Sequence, residues 1–293
     1  MVMNRLKISR IKLALLAMVC TVPTQAAVIE EVIVTAQKRA ESAQDIPVAI
    51  SAIGAKQIEA LGIKSITDMT RVSPSLTITE GANKQNTSIR IRGIGTDVFS
   101  IGIEPSVAIV IDGVSQVQAG QALANLVDIE RIEVLRGPQS TLFGKNASAG
   151  LLSVVTKAPS EEFGSFISVT GTDDGETKVS GSVSGTFAET VGVRLTAYHS
   201  ELDGYLKNLA GGPDLNEDES DGIRAKVSWN VSDNLSVDFS AYSSENESNC
   251  CTPTFRSVGA GAAFQGAIPF AVMMPGIVPS ETNNVASIDV PPA

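Results

Sequence analysis

Hydrophobic and polar positions alternate with a period of two along five stretches in the second half of the chain: residues 164–171, 176–187, 193–200, 223–231 and 235–242. That is the strand period, and it predicts five β-strands whose two faces meet different surroundings. Residues 172–175, 189–192 and 232–234 are short turns, whereas residues 203–221 form a long polar connection and another long one follows residue 242. Each strand has about 8 to 12 residues, the length of a tilted membrane-spanning strand, and tight turns alternating with long loops suit an outer-membrane barrel. A soluble β-sandwich alternates in the same way, so this pattern alone leaves two architectures open.

The first half has a different texture. Residues 47–53 alternate as a strand, residues 56–61 read as a short helix ended by Gly62, and Ser65 is an N-cap for a further helical turn or two before Pro74. Residues 88–93, 107–114 and 129–134 are strands, and residues 123–127 a short helix. Short strands separated by helical turns predict a small mixed sheet, an α+β domain over residues 45–159. Its most regular passage comes last. Val134 and Leu135 close an extended run, Arg136, Gly137 and Pro138 turn, and small residues lead to Phe143 and Gly144. From Gly150, the residues Leu152, Val154 and Thr156 alternate with Ser153, Val155 and Lys157 until Pro159. Pro138 pre-sets its turn and cannot donate to a ladder, while Gly144 and Gly150 free the backbone for a positive φ or a close approach.

Ahead of this domain, Glu31, Val32, Ile33, Val34, Thr35 and Ala36 form a short β-prone run flanked by charge, with nothing local to pair with. It is either the first strand of the next domain or a free strand able to dock on another protein's sheet edge, where main-chain hydrogen bonds give affinity. Earlier still, Arg5, Lys7, Arg10 and Lys12 precede an apolar run over residues 13–19 and the small-residue site Thr24-Gln25-Ala26. That order predicts a signal peptide cut after Ala26, and the apolar run is too short for a transmembrane helix.

Charge and cysteine usage then narrow the function classes. The chain carries a net charge of −10, and removing the four basic residues of the signal takes it to −14. That balance excludes nucleic acid as a partner, which demands a basic face. Three cysteines exclude a disulfide-built scaffold, and with Cys20 in the signal only the adjacent Cys250 and Cys251 remain, read as a loop staple rather than a metal site. His199 is the only histidine and is expected to be a surface or structural residue without a metal-ligand set. No nucleophile–base pair or zinc spacing is present, so no catalytic residues and no metal site are expected.

The residue order over 133–159 resembles the end of the plug domain of TonB-dependent outer-membrane receptors. Ile91-Arg92-Gly93, Ile111-Asp112-Gly113-Val114 and the run from Arg131 to Pro138 follow the plug pattern, and Glu31 to Ala36 resembles the TonB box in its usual place after the signal. The resemblance implies an α+β plug followed by the first strands of an antiparallel transmembrane β-barrel, cut short: five strands against the roughly 22 of a plugged transporter. It divides the chain into a signal peptide (1–26), a TonB-box segment (27–44), a plug domain (45–159) and a partial barrel (160–293). It also implies an outer-membrane receptor, not an enzyme, that binds a scarce solute and imports it with energy transmitted by TonB. An iron–siderophore complex is the expected cargo; haem, cobalamin or carbohydrate uptake, or a ligand-sensing transducer, are the alternatives. The implied partners are TonB, a small ligand such as a metal chelate, and outer-membrane lipid, with no cofactor. Arg136, Gly137, Pro138, Phe143, Gly144 and Gly150 are the structural plug motif. Residues 95–106 are the longest irregular stretch in the plug, and binding residues favour loops on rigid scaffolds, so Thr96, Asp97, Phe99 and Ser100 are expected to touch ligand. Arg90, Arg92, Arg131 and Arg136 are expected to pair with acids of the barrel's inner wall.

Overall fold

The computed structural model describes residues 33–35, 38–39, 41–63, 65–79, 86–97, 102–117, 126–173, 175–208, 213–249 and the two-residue strand Val285–Ala286. The signal peptide, Glu31, Val32, Ala36, Phe99, Ser100, Cys250 and Cys251 lie outside these residues.

β1 (Ile33–Val34) and β2 (Glu41–Ser42) precede the plug, which begins with β3 (Ala49–Gly54), α1 (Ala55–Ala60) and a 3-10 helix (Ile66–Arg71). Gly62 takes φ +60° just after α1, and Ser65 and Asp68 close a capping box on the 3-10 helix, as their positions predict. Next come β4 (Leu76–Thr79), β5 (Ser88–Ile91), β6 (Ile94–Gly95), β7 (Val107–Ile111), β8 (Val114–Gln116), β9 (Ile129–Arg136), α2 (Ser140–Phe143) and β10 (Gly150–Thr156). The central sheet has the order β3-β9-β10-β7-β8, with β10 and β7 parallel and the other neighbours antiparallel; β4, β5 and β6 form a second small sheet.

Both faces of the central sheet are covered. Ile132, Val134, Leu152 and Val154 pack with Ile58, Ile66, Met69 and Ile91 on one side. Leu135, Leu151, Ala108 and Val110 pack with Val34 and Ile46 on the other. β10 is therefore almost wholly buried rather than half-buried, although its sequence alternates. Two expectations about this domain change. Residues 107–114 are a hairpin, not one strand, because Asp112 and Gly113 both take positive φ (+47° and +83°), the geometry of a tight hairpin turn. Leu126 and Val127 are not helical, and the rest of the helix expected over 123–127 lies outside the described residues.

β11 (Gly164–Gly171), β12 (Glu176–Phe187), β13 (Val191–Leu202), β15 (Asp218–Ser232) and β16 (Leu235–Ser248) form one antiparallel sheet in that order; a two-residue strand, β14 (Lys207–Asn208), lies within the loop before β15. Odd-numbered residues share its outward face: Ile167, Val169, Val183, Leu195, Ile223, Trp229, Val237 and Phe239 are all exposed there. Even-numbered Ser182, Ser184 and Thr196 are buried on the opposite face, toward the plug. An apolar band outward and polar groups inward is what a barrel wall in lipid requires, and among the described residues no second sheet packs on the band to make a sandwich. The last two strands outrun the expected 8–12 residues, β15 reaching 15 residues and β16 14, and β13 fills the range with 12, so the loop before β15 shortens to residues 203–217. Beyond the band the outward positions become His199, Glu201, Glu219, Asp221, Glu245 and Glu247, which ends the apolar alternation while the ladder continues.

Candidate functional site

The candidate TonB-docking strand is held on the plug. Ile33 pairs with Ser42 and Val34 with Glu41, antiparallel, and Val34 is fully buried among Ile46, Leu135 and Leu151. This corrects the expectation of a strand without a local partner: Glu41 and Ser42 supply one, too short to show in the pattern. Thr35 continues onto the sheet. Its N–H donates to Glu133 Oε1 (2.9 Å), its hydroxyl donates to the same oxygen (3.3 Å), and it accepts from Arg131 Nη2 (3.1 Å). Arg131 Nε also donates to Glu133 Oε1 at 2.8 Å.

The Arg136–Gly137–Pro138 turn ties β9 to β3. Arg136 donates to Ser51 Oγ (2.6 Å) and to the Ile50 carbonyl (3.2 Å). Gly137 takes φ +95° and Gly144 φ +78°, a region that favours glycine. Gly150 is required for a different reason: a Cβ there would lie 2.5 Å from Ile91 Cδ1 and 2.6 Å from the Leu135 carbonyl oxygen. Phe143 closes α2, and Lys38 Nζ sits 5.5 Å from its ring centre.

Thr96 and Asp97 stand by the start of β7, at the end of the central sheet away from Asp112. The Thr96 hydroxyl hydrogen-bonds to Ser106 Oγ, and Asp97 pairs with Arg90. Phe99 and Ser100, the other two expected ligand contacts, lie outside the described residues.

Plug and wall are joined with the polarity opposite to expectation. Arg90, Arg131 and Arg136 bond within the plug, to Asp97, to Glu130 and Glu133, and to β3. The plug contributes acids and carbonyls, the wall cations. Asp128 receives Arg194 as a fork (2.6 Å from Nε and 2.6 Å from Nη2) and the Thr196 hydroxyl at 2.6 Å, with Lys157 Nζ 3.8 Å away. Asp112 accepts from the Thr156 N–H (2.8 Å) and hydroxyl (2.7 Å) and pairs with Lys226 Nζ at 3.0 Å. Arg224 donates to the Val127 carbonyl (3.1 Å), Lys226 to that of Thr156 (3.0 Å). Burial by itself pushes the Asp128 carboxyl up, but the hydrogen bonds from Arg194 and Thr196 and the charges of Arg194 and Lys157 outweigh it and hold the group below its ordinary range. The sequence marks Asp128 only as one acid before a strand; its partners lie 66 and 68 residues away and are fixed by register.

His199 has partners after all. Its Nδ1 lies 2.9 Å from Asp221 Oδ1, and His199, Glu219 and Asp221 bring donor atoms within 4.8 Å of one another on the outward face. Cross-strand pairing assembles that group, which is why spacing along the chain hid it.

The family model for the TonB-dependent receptor plug domain matches residues 42–151. The pesticin receptor of Yersinia pestis is 33% identical over 130 residues, 43% of this chain and 19% of that protein. The vitamin B12 transporter BtuB of Photobacterium profundum is 25% identical over 222 residues, 74% of this chain and 36% of that one. Among solved structures, the ferric yersiniabactin uptake receptor FyuA from Yersinia pestis superposes with a TM-score of 0.62 and 25% identity, covering 68% of this chain and 32% of that one. The chain thus spans between about a fifth and a third of the length of these relatives, which carry receptor and transporter names. Residues 42–151 thus match the plug domain of TonB-dependent receptors, and the five antiparallel strands that follow are arranged as in the barrel wall of such receptors.

Proposed function

We propose that the receptor containing this chain captures a scarce solute at the cell surface, an iron–siderophore complex in the first instance, and imports it across the outer membrane with energy transmitted by TonB. Residues 1–26 serve as the export signal, and the β-prone segment 31–36 as the strand TonB takes up. The observation that carries this reading is the short strand Ile33–Val34, paired over only two residues with Glu41–Ser42 and seated on the plug by Val34, in a chain whose later five-stranded sheet has an apolar outward face. A two-residue ladder is a weak hold that another sheet edge can replace. The iron reading is supported by the ferric yersiniabactin neighbour, and a cobalamin reading by the vitamin B12 transporter, which aligns with the larger share of this chain.

Growth of a deletion strain on iron chelates and on cobalamin, with and without TonB, separates the two. Loss of growth on one iron–siderophore class, with the same loss in the TonB-deficient parent, is the expected result; a defect confined to cobalamin would replace the iron reading. Thr96, Asp97, Phe99 and Ser100 are proposed to face the ligand. Their joint replacement by alanine is expected to weaken surface binding of the chelate about tenfold or more, since each lost polar or aromatic contact contributes on the order of 1 kcal/mol. Equilibrium binding to whole cells reads this out, and unchanged affinity removes the loop from the site.

A further inference from the structure

Among the described residues Glu133 is the one acid with no exposed surface; it lies in the plug sheet, on the face where its sheet neighbours Leu135 and Leu151 pack with Val34. A carboxylate there is costly, and an apolar side chain of similar size would fill the space more favourably. Its Oε1 collects three donors: the Thr35 N–H, the Thr35 hydroxyl and Arg131 Nε. Its Oε2 is buried and has no hydrogen-bond partner among the described residues. The group is thus built around Thr35, yet incompletely satisfied while Thr35 is in place.

We propose that Glu133, oriented by Arg131, is the positioning residue that withholds the strand at Ile33–Val34 from a docking partner. This rests on reading that strand as the one TonB takes up. With only two residue pairs in its ladder, the strand depends on the buried Val34 side chain and on the bonds of Thr35. Departure of Thr35 admits water to both carboxylate oxygens, which relieves the unpartnered one. The docked state is therefore held, but not deeply, and its occupancy is set by the Thr35 hydroxyl and the Glu133 charge.

The test uses the full receptor in isolated outer membranes, with Cys250 and Cys251 replaced by serine and Val34→Cys as a reporter. Val34 is fully buried, so a maleimide reaches the thiol only when the strand leaves. Thr35→Val removes the hydroxyl while keeping its shape and main-chain N–H. It is expected to raise the labelling rate about tenfold, the size of a lost hydrogen bond to a charged group. Glu133→Gln is expected to raise it as well, and Thr35→Ser to return it to the parental rate. A reporter at Leu151→Cys, also fully buried and in the same cluster, should stay unlabelled in every variant, because a plug that merely unfolded would expose both thiols. Parental labelling in both Thr35→Val and Glu133→Gln, or equal labelling at positions 34 and 151, overturns the proposal. Cross-linking of the position-34 thiol to the periplasmic domain of TonB is measured separately. Faster labelling without TonB capture leaves Glu133 as the positioning residue and rejects the docking-strand reading.

Discussion

Ile33→Pro is expected to abolish energised uptake and leave ligand binding at the cell surface unchanged. Strand addition draws its affinity from main-chain hydrogen bonds, and proline removes one N–H and fixes φ near −65°, away from the extended range of a sheet. The lost bond and the misfit together cost about 3 kcal/mol, so uptake should fall about a hundredfold, to the level of a strain lacking TonB. Proline also disturbs the ladder with Ser42, but that loosens the strand and does not hinder its release, and the plug core is spared because Ile33 is 44% exposed while the neighbouring Val34, which fills the core, is unchanged. Ile33→Ala, which keeps the N–H, serves as the control and should transport within a few-fold of the parent. Paired measurements of chelate binding at low temperature and energised uptake decide it. Uptake at the parental rate in the proline variant removes Ile33 from the docking strand.

What the sequence shows and hides follows from how far each signal reaches. The glycines at 137 and 144 are legible because a turn imposes its demand within a few residues, and both take positive φ. Gly150 is only half legible: its need for space comes from Ile91, distant in sequence. The strands of the wall are legible through their outward apolar band, and their ends are misjudged where that band gives way to Glu201, Glu219 and Glu245 while the ladder runs on. The partner of Ile33–Val34 is a two-residue strand, below what any periodicity can register. Most hidden are the charge partnerships. Arg90 and Arg131 look available to the wall because the acids that engage them, Asp97 and Glu133, alternate with other charges nearby. Asp128 gives no hint of Arg194, since the contact exists only once β13 lies against the plug.

That contact sets the second large expectation, which concerns how the plug stays seated. Asp128 takes φ +58° and its side chain is 2% exposed, with Arg194 at 11%. Asn tolerates the left-handed region, so Asp128→Asn changes the charge without forcing the backbone. It leaves the Arg194 guanidinium buried without its counter-charge, a loss on the order of 3 kcal/mol. Asp128→Asn combined with Arg194→Met should recover part of that loss, because the stranded charge is gone; a simple sum of the two single effects would mean the groups are not coupled. The pH dependence has a fixed sign. The Asp128 carboxyl is held below its ordinary value of 3.8, so its contribution is complete above about pH 4 and is lost as the pH falls below that. Urea midpoints for protease resistance of the plug, taken in outer membranes between pH 7 and pH 3, should drop with acid in the parent. In Asp128→Asn they should start lower and show less of that drop. Equal midpoints for parent and variant at pH 7 would mean that the plug is seated by Asp112, Lys226 and the carbonyl contacts alone.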